Sequence, residues 1–193
     1  MSCTVSFFGH RYIEGDIWEI DEKLREIIRI LINRNCYVDF LVGADGDFDR
    51  IVSSAIKHEQ KVYDDINSYH TLVLPYVRNE ILDRNKNINS FYNSVEICEK
   101  SCDAHPKEAF KIRNRDMIDR SDLVIFYVNH TYGGAYQAMK YAAQHGRRIY
   151  NIGLLKKFKN FDLYNLQLDN IDNNKNEYDI EWSFLKEDYM DYK

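Results

Sequence analysis

The sequence predicts an α/β protein of Rossmann-like type, with a mainly parallel sheet and helices on both faces. Short apolar, β-prone runs alternate with segments of helical periodicity from Thr4 to Ile152. That order closes most simply through right-handed strand–helix–strand crossovers. One run, Leu123-Val124-Ile125-Phe126-Tyr127-Val128, is apolar throughout, as a parallel strand covered on both faces should be. A length of 193 residues with 45% apolar and 30% charged residues suits one globular domain with a real core.

The elements follow in order. Thr4–Phe8 reads as the first strand and stops at Gly9. Between Ile17 and Ile32, residues Ile17, Ile20, Leu24, Ile27, Ile28 and Leu31 recur on one helical face, and Trp18 reads as part of that helix's packing. Tyr37–Val42 is a second strand ending at Gly43, and Phe48 to Lys57 a second helix with Phe48, Ile51, Val52, Ala55 and Ile56 inward. Thr71–Leu74 is a third strand stopped by Pro75. Tyr76–Asp103 reads as a solvated connection holding a short helix over Ser94–Lys100. Lys107–Asp119 is helical and leads into Leu123–Val128. Gly133-Gly134 opens a helix that runs to Gln144, and Arg148–Ile152 is a fifth strand. From 154 to 193 the chain is polar and Asn-rich, an extension read as packing in part on the domain of residues 1–153.

Charge and composition narrow the partners. A net charge of −5 gives no broad attraction to phosphate backbones or anionic membranes, and the fifteen tyrosines are too dispersed for a stacking platform. The expectation is therefore no strong nucleic-acid signature, although local basic groups between Arg113 and Arg120 can serve one small anion. No stretch approaches the roughly 20 apolar residues of a membrane span. The N-terminus lacks the pattern of a secretory signal, and four cysteines imply no disulfide framework, so a reducing cytoplasm is expected. Cys98-x3-Cys102-x2-His105 lacks a fourth ligand for zinc, so no metal and no cofactor is expected.

In parallel α/β sheets, ligands settle outside the carboxyl ends of the strands. Three strand-end loops have the composition for this. Gly9-His10-Arg11 joins a permissive backbone to a guanidinium able to grip a phosphate or carboxylate. Gly43-Ala44-Asp45-Gly46-Asp47-Phe48-Asp49 offers Asp45, Asp47 and Asp49 to ribose hydroxyls, or to capping of the helix that follows. Tyr132-Gly133-Gly134-Ala135-Tyr136 starts a helix whose free amides favour an anion, with Tyr132 and Tyr136 placed to cover a base. Of Arg113 and Arg115, which diverge on a helix, Arg115 is the one expected at the ligand.

At these residues the sequence resembles the SLOG superfamily, the Rossmann-like group related to LOG cytokinin-activating enzymes and DprA/Smf proteins, in its DUF1273/YpsA-like branch. The carriers are Phe8-Gly9-His10-Arg11, Gly43 to Asp49, Arg113 to Asp119, Ser121-Asp122 and Gly133-Gly134-Ala135. The resemblance implies binding of a nucleotide or nucleotide-derived signal, and in some members cleavage of a base from ribose phosphate. It also leaves room for a homo-oligomer. LOG enzymes carry Pro-Gly-Gly-x-Gly-Thr-x-x-Glu; here Tyr136, Gln137 and Lys140 stand at the third glycine, the threonine and the glutamate. A lysine cannot stabilise an oxocarbenium ion as a carboxylate does.

The reading that follows is a protein that senses, carries or sequesters a nucleotide-like small molecule. The alternative is an N-glycosidase or glycosyltransferase using Asp47 or Asp49 as its carboxylate. Lys140 is equally consistent with an inward position on the ligand and an outward, solvated one.

Overall fold

The computed structural model describes residues 2–34, 37–63, 67–77, 91–155 and 159–163. Six parallel strands form one sheet: β1 (Ser2–Gly9), β2 (Tyr37–Val42), β3 (Ser68–Leu74), β4 (Ser94–Ile97), β5 (Leu123–Tyr127) and β6 (Arg148–Asn151), in the order β4-β3-β2-β1-β5-β6. Among the described residues, four α-helices accompany them: α1 (Ile17–Arg34), α2 (Asp47–Val62), α3 (Pro106–Arg120) and α4 (Gly133–Gln144).

Each face has its own core. Ile20, Leu24, Ile27, Ile28 and Leu31 of α1 and Phe48, Val52, Ala55 and Ile56 of α2 pack on Val5, Phe7, Phe40, Ile125 and Tyr127. Met117 and Ile118 of α3 and Ala138, Met139 and Ala142 of α4 pack on Phe8, Leu41, Val124 and Phe126. Successive β5 side chains thus go to opposite cores, and all of β5 is buried. That is why its sequence shows no polar alternation.

Two expectations for the local structure are corrected. Ser94–Ile97 is a strand, not a short helix: it pairs in parallel with Thr71–Leu74, and a 3₁₀ turn at Glu99–Ser101 follows. The open edge of β3 supplies hydrogen bonds that a four-residue segment could not make alone. Trp18 is not packed. It is 77% exposed beside the half-exposed Ile17, because the inward stripe of α1 begins at Ile20. Helix α2 runs past Lys57 to Val62, its last turn held by buried Glu59, which receives Arg29 at 3.3 Å.

Beyond β6 the chain continues against the domain. Asn151 N–H donates to Asn160 Oδ1 at 2.8 Å, Phe161 N–H donates to Ile149 O at 2.7 Å, and Leu163 is buried with α1. The rest of the expected C-terminal extension, 164–193, and residues 78–90 of the connection lie outside the described residues. Among the described residues, no helix is long and apolar enough to cross a membrane.

The topology also sets where a site can form. From β1 the chain builds outward through β2, β3 and β4, then returns by α3 to start β5 on the other side of β1. The loops after β1 and β5 therefore depart in opposite directions and leave a gap between them.

Candidate functional site: a crevice at the sheet's switch point

That gap is a crevice of about 570 Å³, walled by the loops after β1, β2 and β5, by α3 and by the first turn of α4. Its size is in the range of small-molecule sites. The first two loops are joined: Asp47 N–H donates to Arg11 O at 2.8 Å and Ile13 N–H to Asp47 Oδ2 at 3.3 Å. At Gly9, an added Cβ would lie within 2.6 Å of three Phe48 carbons, so this glycine lets α2 close onto β1. Gly9→Ala is expected to cost about 1–3 kcal/mol through overpacking against a fully buried ring, measured by denaturant unfolding. Unchanged stability would mean that Phe48 can yield.

The floor is ionic. Arg113 is only 4% exposed; it donates from Nη1 to Val73 O at 3.0 Å and from Nη2 to Asp45 Oδ2 at 2.7 Å. Asp49 Oδ2 accepts the Asp45 N–H at 2.8 Å, which ties the loop after β2 to the first turn of α2, and burial holds the Asp49 carboxyl above the usual carboxylate range. Phe110, one helical turn before Arg113, and Asn114, the residue after it, complete this wall.

The opposite wall is aromatic. His10, His130 and Tyr132 form a column with ring centroids 3.7 Å apart at both steps and interplanar angles of 17° and 15°. Asn129 N–H donates to His10 Nε2 at 3.0 Å, which requires an unprotonated nitrogen there. Burial, then the neighbouring His130, lowers the His10 pKa to about 4, so the ring is neutral at physiological pH. Buried Asn151 holds the loop above: its Oδ1 accepts Val128 N–H and its Nδ2 donates to Val128 O, at 2.9 and 3.0 Å. Next to the column, Gly133 has φ +86°, a conformation that favours glycine, and an added Cβ at Gly134 would meet no atom within 4 Å. The first turn of α4 therefore presents bare backbone to the crevice, without a side-chain cap.

Of the residues expected at a ligand, Gly9, His10, Arg11, Gly43, Asp45, Asp49, Tyr132, Gly133 and Gly134 all line this one crevice. Three others do not. Asp47 sits at the start of α2, paired with Arg50 and the Ile13 amide. Arg115 points away from the crevice and lies over the Tyr141 ring at 5.1 Å, while Arg113, two residues earlier, turns in. Tyr136 is buried on the stripe of α4 that faces the sheet. Lys140 follows it, with Nζ 5.8 Å from the Tyr136 ring and no place in the lining. Arg113 had a signal in the sequence: it interrupts the spacing Ala109, Arg113, Met117, which is buried throughout, and an arginine inside an apolar stripe marks an internal partner. Cys98 is buried and Cys102 is exposed, its thiol directed to Glu99 O at 3.0 Å.

Fold and crevice together define a Rossmann-like α/β protein with an open cleft at the topological switch point. Among solved structures, the chain is similar to DNA processing protein A (DprA) from Streptococcus pneumoniae, at 15% identity and a TM-score of 0.57, over 77% of this chain and 50% of that one. It is also similar to DprA from Helicobacter pylori, a structure concerned with that protein's single-stranded DNA binding mode. There the identity is 17% and the TM-score 0.56, over 99% of this chain and 82% of that one. The chain thus spans half the length of the pneumococcal protein. The sequence matches no protein-family model and no curated protein.

What is shared is the Rossmann-like fold. The likeness corrects one expectation, that of no strong nucleic-acid signature. A protein of this fold binds single-stranded DNA. Net charge and the scatter of tyrosines were the wrong quantities to weigh, because strand binding depends on local groups along one groove.

Proposed function

We infer that the crevice binds a nucleotide or a nucleotide-derived ligand, with its phosphate on the first turn of α4. One observation carries this reading: the bare Gly133-Gly134 helix start opens into the same crevice as the exposed Arg11 side chain. Free amides and the helix dipole favour an anion there, and a guanidinium adds a paired donor. The likeness to DprA supports a nucleotide-related ligand.

Binding is favoured over turnover. Lys140 occupies the position of the LOG glutamate and lies on Tyr136, Asp49 is engaged with the Asp45 amide, and Asp47 is engaged with Arg50. No carboxylate of this set stands free to stabilise a glycosyl cation. The finer reading is a cytoplasmic sensor, carrier or sequestering protein of the DUF1273/YpsA-like type. A second reading, favoured by the H. pylori likeness, seats one nucleotide of a single strand in the crevice.

Gly134→Asp tests the site cleanly, because the new side chain enters open space and sets a carboxylate on the helix start. Titration calorimetry with mononucleotides, ADP-ribose and short single-stranded oligonucleotides is expected to show at least a roughly tenfold loss of affinity, with the unfolding midpoint unchanged. Oligonucleotides binding much more tightly than mononucleotides would select the second reading. Equal affinities for variant and wild type would remove the phosphate from α4.

A further inference from the structure

We propose that the outer face of Tyr132 is a nucleobase subsite, on which the base becomes the fourth ring of the His10–His130–Tyr132 column. This deepens the reading above and rests on it. The column is already assembled. His10 is anchored by the Asn129 amide and set edge-on to Tyr127, with centroids 6.3 Å apart at 75°. His130 stacks on it, and Tyr132 on His130, at one spacing.

The column then stops at a solvent-facing ring. Tyr132 is 69% exposed and lines the crevice, and among the described residues no second ring covers it. Such a tyrosine has lost its freedom to rotate through the His130 contact yet buries little of its own surface. A planar ligand that stacks on it gains that area at small entropic cost.

Position identifies the ligand class. Tyr132 is the N-cap residue of α4, immediately before the two glycines. An anion on the helix start and a flat group on Tyr132 are therefore held by adjacent residues, a separation suited to the phosphate and base of one nucleotide. Recognition through a ring face does not read hydrogen-bonding edges, so any base is accepted, purines more strongly than pyrimidines for their larger face.

Calorimetry of wild type, Tyr132→Ala and Tyr132→Phe with AMP, CMP, ribose 5-phosphate and inorganic phosphate tests this. Wild type should bind AMP more tightly than CMP and CMP more tightly than ribose 5-phosphate. Tyr132→Ala should lose roughly tenfold or more for AMP, less for CMP, and nothing for ribose 5-phosphate or phosphate, while Tyr132→Phe retains the base preference. Phosphate-dependent binding without any gain from a base, or equal losses for AMP and ribose 5-phosphate in Tyr132→Ala, would overturn the subsite and leave the phosphate reading standing. Absence of wild-type binding to all four probes would overturn both.

Discussion

Arg113→Leu is expected to lower folding stability by about 3–5 kcal/mol, the range for removing one partner of a buried ion pair. The side chains of Arg113 and Asp45 are 5% and 17% exposed, so the carboxylate left behind stays largely out of water. The substitution also strips Val73 O of a donor and removes the cation that opposes the upward shift of the Asp49 carboxyl. Arg113→Lys should recover only part of the loss, because one ammonium cannot reproduce a fork aimed at a carbonyl and a carboxylate together. Asp45→Leu added to Arg113→Leu should restore some stability by removing the stranded charge. Denaturant unfolding of wild type, Arg113→Leu, Asp45→Leu and the double variant gives the coupling energy directly. A single-variant loss below about 1 kcal/mol would show that water reaches the crevice floor and screens the pair.

The second large effect is in acid. His70 on β3 is fully buried against Phe91 and Tyr92, and burial first, then Lys57, lowers its pKa to about 3. Above pH 6.5 the imidazole is neutral in both folded and unfolded chains and adds no pH dependence. Below 6.5 the unfolded chain takes up a proton that the folded chain refuses, so stability falls with falling pH until about 3. The slope from this one residue approaches about 1.4 kcal/mol per pH unit. Followed from pH 7.5 to 4, the unfolding free energy of wild type should fall relative to that of His70→Leu as pH drops, the variant lacking this part of the acid slope. Parallel curves would place the acid sensitivity elsewhere.

Both of these residues sit inside the fold, and neither was legible in the same way as the elements around them. The strands and helices could be read because their signal is local. Leu123–Val128 has no polar residue to expose, and the Ile20, Leu24, Ile27, Ile28, Leu31 stripe specifies a helix face without knowing what covers it. Tyr136 was legible by the same rule: Ala135, Tyr136, Ala138, Met139, Ala142 and Ala143 form one apolar stripe, which takes the tyrosine inward. Its aromatic character beside two glycines drew attention to the ligand instead.

β4 was not legible. Four half-buried residues have too little pattern to oppose a helical reading, and what makes Ser94–Ile97 a strand is the unpaired edge of β3, distant in the chain. The same distance separates His10 from Asn129 and Arg113 from Asp45.

By itself, then, the sequence determined the Rossmann-like class, the order of its long elements and the three loops at the strand ends, since each follows from the spacing of neighbouring residues. The tertiary structure alone decided the sixth strand, the choice of Arg113 over Arg115 and the stacking of His10, His130 and Tyr132. Those depend on where the chain returns beside β1 after building the other half of the sheet, and no local period encodes a return.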